Sequence, residues 1–192
     1  MMISHSYSDT VYVADYTRYN QDQHDEESPC SGVYFSTSKP PLIPSFVLEN
    51  PHEHPFETVN FEENSSLLKR SDGTLRTQCE GLLYAHRDES PAWALFLELK
   101  YCEPKAIYDN TLSAMAQLKE TCKYIMEEKG LLDNEKYKRY FVVSTPNAEP
   151  LDPFDANYFD QDDMLRYKYE CNAIVFFSNS VRVHTPVHLK LG

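Results

Sequence analysis

The chain has 192 residues, 41% of them hydrophobic and 25% charged, which suits one domain with a real core and does not suit a wholly disordered protein. Its net charge of −12 argues against a broad basic face for gripping nucleic-acid backbone, because phosphate neutralisation supplies most of that affinity. No stretch reaches the roughly 20 apolar residues of a membrane span, and the five cysteines contain no Cys-x-x-Cys clamp, so the composition reads as a soluble cytoplasmic protein with reduced thiols.

Residues 1–55 read as an irregular N-terminal extension, packed on or trailing from a core over 56–192, the two together forming one domain. Within the extension Thr10–Ala14, Val33–Ser36 and Ser45–Leu48 are short strand candidates. Gln21–Cys30 is polar and acidic and reads as loop. Lys39–Pro44 holds three prolines, two of them adjacent, and cannot be regular structure.

The pattern sharpens after residue 55. Phe56–Phe61 alternates and reads as a strand. Ser71-Asp72-Gly73 is a turn signal. Cys79–His86 and Trp93–Tyr101 read as strands joined by the polar cluster Arg87–Pro91, hence an antiparallel hairpin. In Trp93–Tyr101 a period of two places Ala94, Phe96, Glu98 and Lys100 on one face. Glu98 and Lys100 thus end an otherwise apolar strand as charges that need water, a partner or a metal. If the turn centres near Glu89 and Ser90, position 80 falls opposite 98 or 99, which would set Glu80 across from Glu98. Two opposed carboxylates repel unless a cation or water stands between them.

Ile107–Lys129 is the strongest helix, with Leu112, Met115, Leu118, Cys122, Ile125 and Met126 at helical spacing. Asp109 or Asn110 can cap its start, and Gly130 follows its end. Tyr140–Thr145 reads as a buried strand halted by Pro146. Asn147–Gln161 reads as loop and Asp162–Glu170 as a short helix. Ala173–Phe177 and Val181–His184 read as a closing hairpin around Ser178-Asn179-Ser180. A strand–helix–strand crossover favours parallel pairing of 93–101 with 140–145. The predicted fold is α/β, bordering on α+β: a mixed central sheet flanked by helices.

The arrangement Glu80-Gly-Leu-Leu-Tyr84, then Phe96-Leu-Glu-Leu-Lys100, then a helix bearing Gln117 and Tyr124, then Phe141-Val-Val-Ser144, resembles the PD-(D/E)XK nuclease superfamily. The resemblance covers about residues 75–145. It implies a restriction-endonuclease-like core with extra N-terminal strands, and a metal-dependent nuclease hydrolysing phosphodiesters of DNA or RNA. It implies that Glu80, Glu98 and the main-chain carbonyl of Leu99 hold Mg²⁺ or Mn²⁺, and that Glu80, Glu98 and Lys100 form the catalytic set. Hard carboxylate oxygens suit those ions. Glu62 or Glu63 could supply a further acid. Gln117 and Tyr124 would lie toward substrate, and Lys136, Lys138 and Arg139 form a basic, tyrosine-flanked patch that could meet the backbone. The pattern departs from the family in having Glu rather than Asp as first acid, Cys79 rather than Pro before it, and seven residues between Gln117 and Tyr124. The competing reading is a non-catalytic module on the same fold that holds a protein partner through its acidic surface.

Overall fold

The computed structural model describes residues 2–17, 32–86, 91–132, 135–148, 166 and 169–192. Eleven strands, β1 (His5–Tyr7), β2 (Val11–Asp15), β3 (Val33–Ser36), β4 (Phe46–Glu49), β5 (Phe56–Asn60), β6 (Gly81–Ala85), β7 (Ala92–Leu99), β8 (Tyr137–Ser144), β9 (Ala173–Phe177), β10 (Ser180–Thr185) and β11 (His188–Leu191), form two mixed sheets. The first has the order β1-β5-β6-β7-β8-β9, the second β11-β10-β4-β2-β3. One long helix, α1 (Ile107–Cys122), continues as a wider π turn over Lys123–Glu128. The fold is therefore of the mixed α/β to α+β class expected.

β7 is the centre of the first sheet, and all eight of its residues are buried. A strand covered on both faces loses the polar alternation of a surface strand, which is why Ala92–Leu99 is an unbroken apolar run until Glu98. It pairs antiparallel with β6 and parallel with β8. α1 lies in the connection between the parallel pair and packs on both strands. Phe96 lies beside Phe141 with their rings edge to face, 5.9 Å apart, while Trp93 packs on Phe56 at 5.9 Å. The second sheet lies against the first. Phe35 of β3 covers Gly81 so closely that a Cβ there would stand 2.6 Å from its ring and 3.2 Å from the Val59 carbonyl. Asn60 Nδ2 donates to the Val33 carbonyl at 2.6 Å, and the Leu189 amide donates to the Tyr140 hydroxyl at 3.3 Å, so both flanks of the contact are tied.

The N-terminal residues depart from the expected extension. β1 joins the first sheet by pairing with β5, and β2, β3 and β4 share the second sheet with β10 and β11. A boundary at residue 55 thus separates nothing in the sheets. The closing hairpin also differs. β9 pairs parallel with β8 in the first sheet, whereas β10 pairs with β4 and β11 in the second. Ser178-Asn179-Ser180 is a corner between sheets, held because the Ser178 hydroxyl bonds the Ser180 backbone and Asn179 Nδ2 donates to the carbonyls of Thr145 and Ala148, each at 3.0 Å. The true hairpin is β10–β11, whose second strand is too short and too exposed to stand out in sequence.

The helix ends as expected: Gly130 adopts φ +58°, which a side chain disfavours, just beyond the π turn. Its start differs. Ala106 is the N-cap and makes no side-chain cap bond, while Asn110 Nδ2 reaches back to the Ala106 carbonyl at 2.8 Å. The expected loop over Gln21–Cys30 lies outside the described residues, as do positions 87–90 of the predicted turn and most of Asn147–Gln161 and Asp162–Glu170. Arg166 and residues 169–171 are helical. Cys79, Cys102, Cys122 and Cys171 are buried. Among the described residues, no helix is long and apolar enough to cross a membrane.

The packing at Gly81 predicts a specific stability effect. Gly81→Ala should cost about 1–3 kcal/mol, since Phe35 must move to make room. Phe35→Leu in the same chain should recover part of that loss. Urea unfolding of the single and double variants measures both, and additive losses would show that the two side chains do not meet.

Candidate active site

The antiparallel register pairs Gly81 with Leu97, and one step further sets Glu80 beside Glu98. The Glu80 amide donates to the Leu97 carbonyl at 3.0 Å, which holds that register past the end of β6. The expected opposition of two carboxylates on adjoining strands is present. β7 ends at Leu99, and the Lys100 amide donates to the Ser144 carbonyl at 2.8 Å, so Lys100 stays fixed although it lies beyond the strand.

Glu98 is 0% exposed, and neither carboxylate oxygen accepts a hydrogen bond of good geometry. Its one close cation is Lys100, whose Nζ stands 2.6 Å from Oε1. Lys100 Nζ also donates to Gln117 Oε1 at 2.7 Å. Gln117 lies on α1, so the helix and the strand end meet at this ammonium. The Gln117 amide nitrogen donates to the Gln78 carbonyl at 2.8 Å, two residues before Glu80.

The electrostatics follow from burial. Glu80 is pushed up to about 9, first by loss of water and then by the charges of Glu98, Asp15 and Glu62, with Lys100 opposing. Glu98 is pushed up to about 7 by burial, against the pull of Lys100 and the nearby Glu80 amide. Crowded, dehydrated carboxyl groups with one lysine beside them form a site short of positive charge.

Asp15 was not singled out by sequence. It ends β2, one residue past the expected strand, and its amide donates to the Tyr101 hydroxyl at 3.3 Å. That hydroxyl donates in turn to the Pro44 carbonyl at 2.7 Å, so Tyr101 ties the second sheet to the end of β7. Of the two acids considered near residue 62, Glu62 is the one whose charge reaches Glu80, and its Oε2 accepts the Val33 amide at 2.9 Å. Glu63 faces His5 on β1 at 3.4 Å and takes no part. Only a three-dimensional pairing of the two sheets could reveal Asp15.

The remaining predicted substrate contacts do not converge here. Lys136, Lys138 and Arg139 sit at the start of β8, whose Tyr137 pairs with Ala92, at the opposite end of β7 from Glu98. β8 begins at Tyr137, earlier than expected, so Lys138 and Arg139 lie in the strand, half-buried and buried, while Lys136 precedes it in an exposed turn. Tyr137, Arg139 and Tyr140 are buried, with Arg139 Nη1 donating to the Cys171 carbonyl at 2.6 Å. Tyr124 is also buried. Its hydroxyl donates to the Leu67 carbonyl at 2.8 Å and the Arg76 guanidinium covers its ring at 4.0 Å.

Fit to a divalent cation can be judged from the donors themselves. Among the described residues, no group of three or more His, Cys, Asp or Glu side chains is arranged to hold a metal ion. Two hard carboxylates are present, one of them wholly buried with unsatisfied oxygens. Mg²⁺ commonly binds through one or two carboxylates, with waters and substrate phosphate completing its shell, so Glu80 and Glu98 are the donors such an ion could use here, too few for a closed structural zinc site. No protein-family model matches the chain, and neither the curated proteins nor the solved structures contain a match to it.

The raised carboxyls fix the sign of a pH effect. Both acids hold protons in the folded state that the unfolded chain releases near 4.5. The pair's contribution to stability is therefore whole at low pH, falls as pH rises from about 4.5, and is lost once pH passes about 7 for Glu98 and about 9 for Glu80. Glu80→Gln should flatten this fall and raise the melting temperature at pH 8.5 relative to the unmutated chain. Thermal unfolding between pH 5 and pH 9 checks it. An equal slope in both proteins would count against a dehydrated Glu80.

Proposed function

We propose that the chain is a metal-dependent, nuclease-like protein that hydrolyses nucleic-acid phosphodiesters at the Glu80–Glu98–Lys100 cluster. The observation that supports this reading best is Glu98, wholly buried, with Lys100 Nζ 2.6 Å from its Oε1 and a second acid, Glu80, at the neighbouring strand position. The likeness of Glu80, Glu98-Leu99-Lys100 and the following helix to the PD-(D/E)XK pattern points the same way.

Glu80, Glu98 and the main-chain carbonyl of Leu99 would hold Mg²⁺ or Mn²⁺. Such an ion polarises a phosphate oxygen and lowers the pKa of the water that attacks phosphorus. The protein's own part is positional and electrostatic. Of the three N–H bonds of Lys100, one goes to Gln117 and one faces Glu98, which leaves the third for an incoming water or a non-bridging phosphate oxygen. There it would offset negative charge as the bond to water forms and the P–O bond to the leaving group breaks. The buried walls of β7 and β8 keep that charge from being screened by water. Nucleic acid, DNA or RNA, is the substrate class this chemistry calls for. Four buried cysteines suit a reducing, cytoplasmic setting.

A second reading is favoured by the net charge of −12, which repels polyanions at long range. On it the chain is a non-catalytic module that binds a basic protein partner and has no use for the cation.

One set of measurements separates the two. Calorimetric titration with Mn²⁺ should give saturable binding that Glu98→Gln abolishes. Cleavage of single- and double-stranded DNA and RNA in Mg²⁺ or Mn²⁺ should fall by about 10²-fold or more in Glu98→Gln and in Lys100→Met. Cleavage that survives both substitutions would remove this cluster as its source. Absence of both binding and cleavage would favour the interaction module.

A further inference from the structure

We propose that Gln117 is a positioning residue for Lys100, its carboxamide holding the ammonium against Glu98 rather than contacting substrate. The inference rests on the reading of the Glu80–Glu98–Lys100 cluster as the reacting site, but its geometry stands apart from the chemistry assigned there.

The two ends of the Gln117 amide have partners of fixed polarity. A main-chain carbonyl can only accept, so Nε2 must face Gln78, where it lies 2.8 Å from the oxygen. Oε1 is then forced toward Lys100 Nζ at 2.7 Å, with the Ser113 hydroxyl at 3.4 Å on the same oxygen. A flipped amide would set donor against donor at the ammonium. The side chain is thus a rigid spacer of defined orientation between Gln78, ahead of Glu80, and Lys100, beyond Glu98.

The next turn of α1 repeats the device. Thr121 Oγ1 accepts the Cys79 amide at 2.9 Å and donates to the Gln117 carbonyl at 2.8 Å. Residues 117 and 121, on one helix face, therefore grip the backbone at 78 and 79 just before it delivers Glu80. Lys100 has four rotatable side-chain bonds and only 17% of its side chain exposed. Without the Gln117 oxygen its single remaining partner is Glu98, and the ammonium is free to swing about that one contact. The side chain of Gln117 is engaged at both ends by the protein's own groups, with only the second Nε2 hydrogen left over.

The test uses the full chain and a readout that does not need catalysis. Lys100 is acetylated with limiting sulfosuccinimidyl acetate, and its rate is followed by peptide mass spectrometry, with Lys105 as internal reference. In Gln117→Leu, Lys100 should react several-fold faster while Lys105 is unchanged. Gln117→Glu keeps the acceptor toward Lys100 and loses the donor toward Gln78, so Lys100 should stay as slow as in the unmutated chain. If Gln117 served only to tie α1 to Gln78, both variants would speed Lys100 alike, and that result overturns the proposal. So does an unchanged Lys100 rate in Gln117→Leu. Should the leucine variant not fold, Gln117→Met replaces it under the same criteria. Where Mn²⁺-dependent cleavage is present, kcat should fall about tenfold in Gln117→Leu with KM nearly unchanged, and Gln117→Glu should retain most of it. A chain that cleaves nothing refutes the nuclease reading alone, and the acetylation rates still decide the role of Gln117.

Discussion

A carboxylate with no exposed surface, held 2.6 Å from an ammonium at the end of the central strand, governs the rest of the molecule. Burying Glu98 costs far more than a surface ion pair returns, and a single lysine does not offset it, since burial outweighs Lys100 in the shift of Glu98. The surrounding structure has to impose the arrangement. β7 does so by being covered on both faces, α1 by anchoring Lys100, and the second sheet by closing over the strand ends through Tyr101 and Phe35. A fold selected for stability alone would place an apolar side chain at position 98. A carboxylate buried near the end of a dry strand is the physical ground for treating the cluster as a candidate site.

The same constraint acts on both acids. Burial raises both Glu80 and Glu98, and Lys100 opposes the rise in each. Asp15 and Glu62 add negative potential from the second sheet and its junction. The cluster is a place where positive charge from outside would be strongly stabilised, in a chain whose overall charge already discourages polyanions.

Much of this was legible in the sequence. The continuous apolar run of 92–97 followed by Glu-Leu-Lys reads directly as a buried strand with charges at its end. The turn cluster after Ala85 sets the hairpin and brings Glu80 opposite 98 or 99, and the observed pairing of Gly81 with Leu97 selects Glu98. The periodicity of 107–126 marks α1, and Gly130 marks its stop. What could not be read depends on contacts between distant segments. Asp15 reaches the site only because β2 belongs to a second sheet. Ser178–Ser180 has the composition of a hairpin turn, and nothing local tells it from a corner that switches sheets. Lys136–Arg139 looks like an exposed basic patch because charge is visible in sequence, while the burial of Arg139 against Cys171 is not.

The interleaving of the sheets has a consequence for how the chain acquires its form. β4 finds its parallel partner β10 only some 130 residues later, and β2, sandwiched between β3 and β4, shares the sheet that β10 completes. During synthesis the first sheet can assemble from β5 to β8 while β4 waits with an unpaired edge. Contacts so distant in sequence slow the search for the native state, and an open edge in the meantime invites association with other chains. The late arrival of β10 thus leaves one side of β4 without its neighbour until nearly the whole chain has been made.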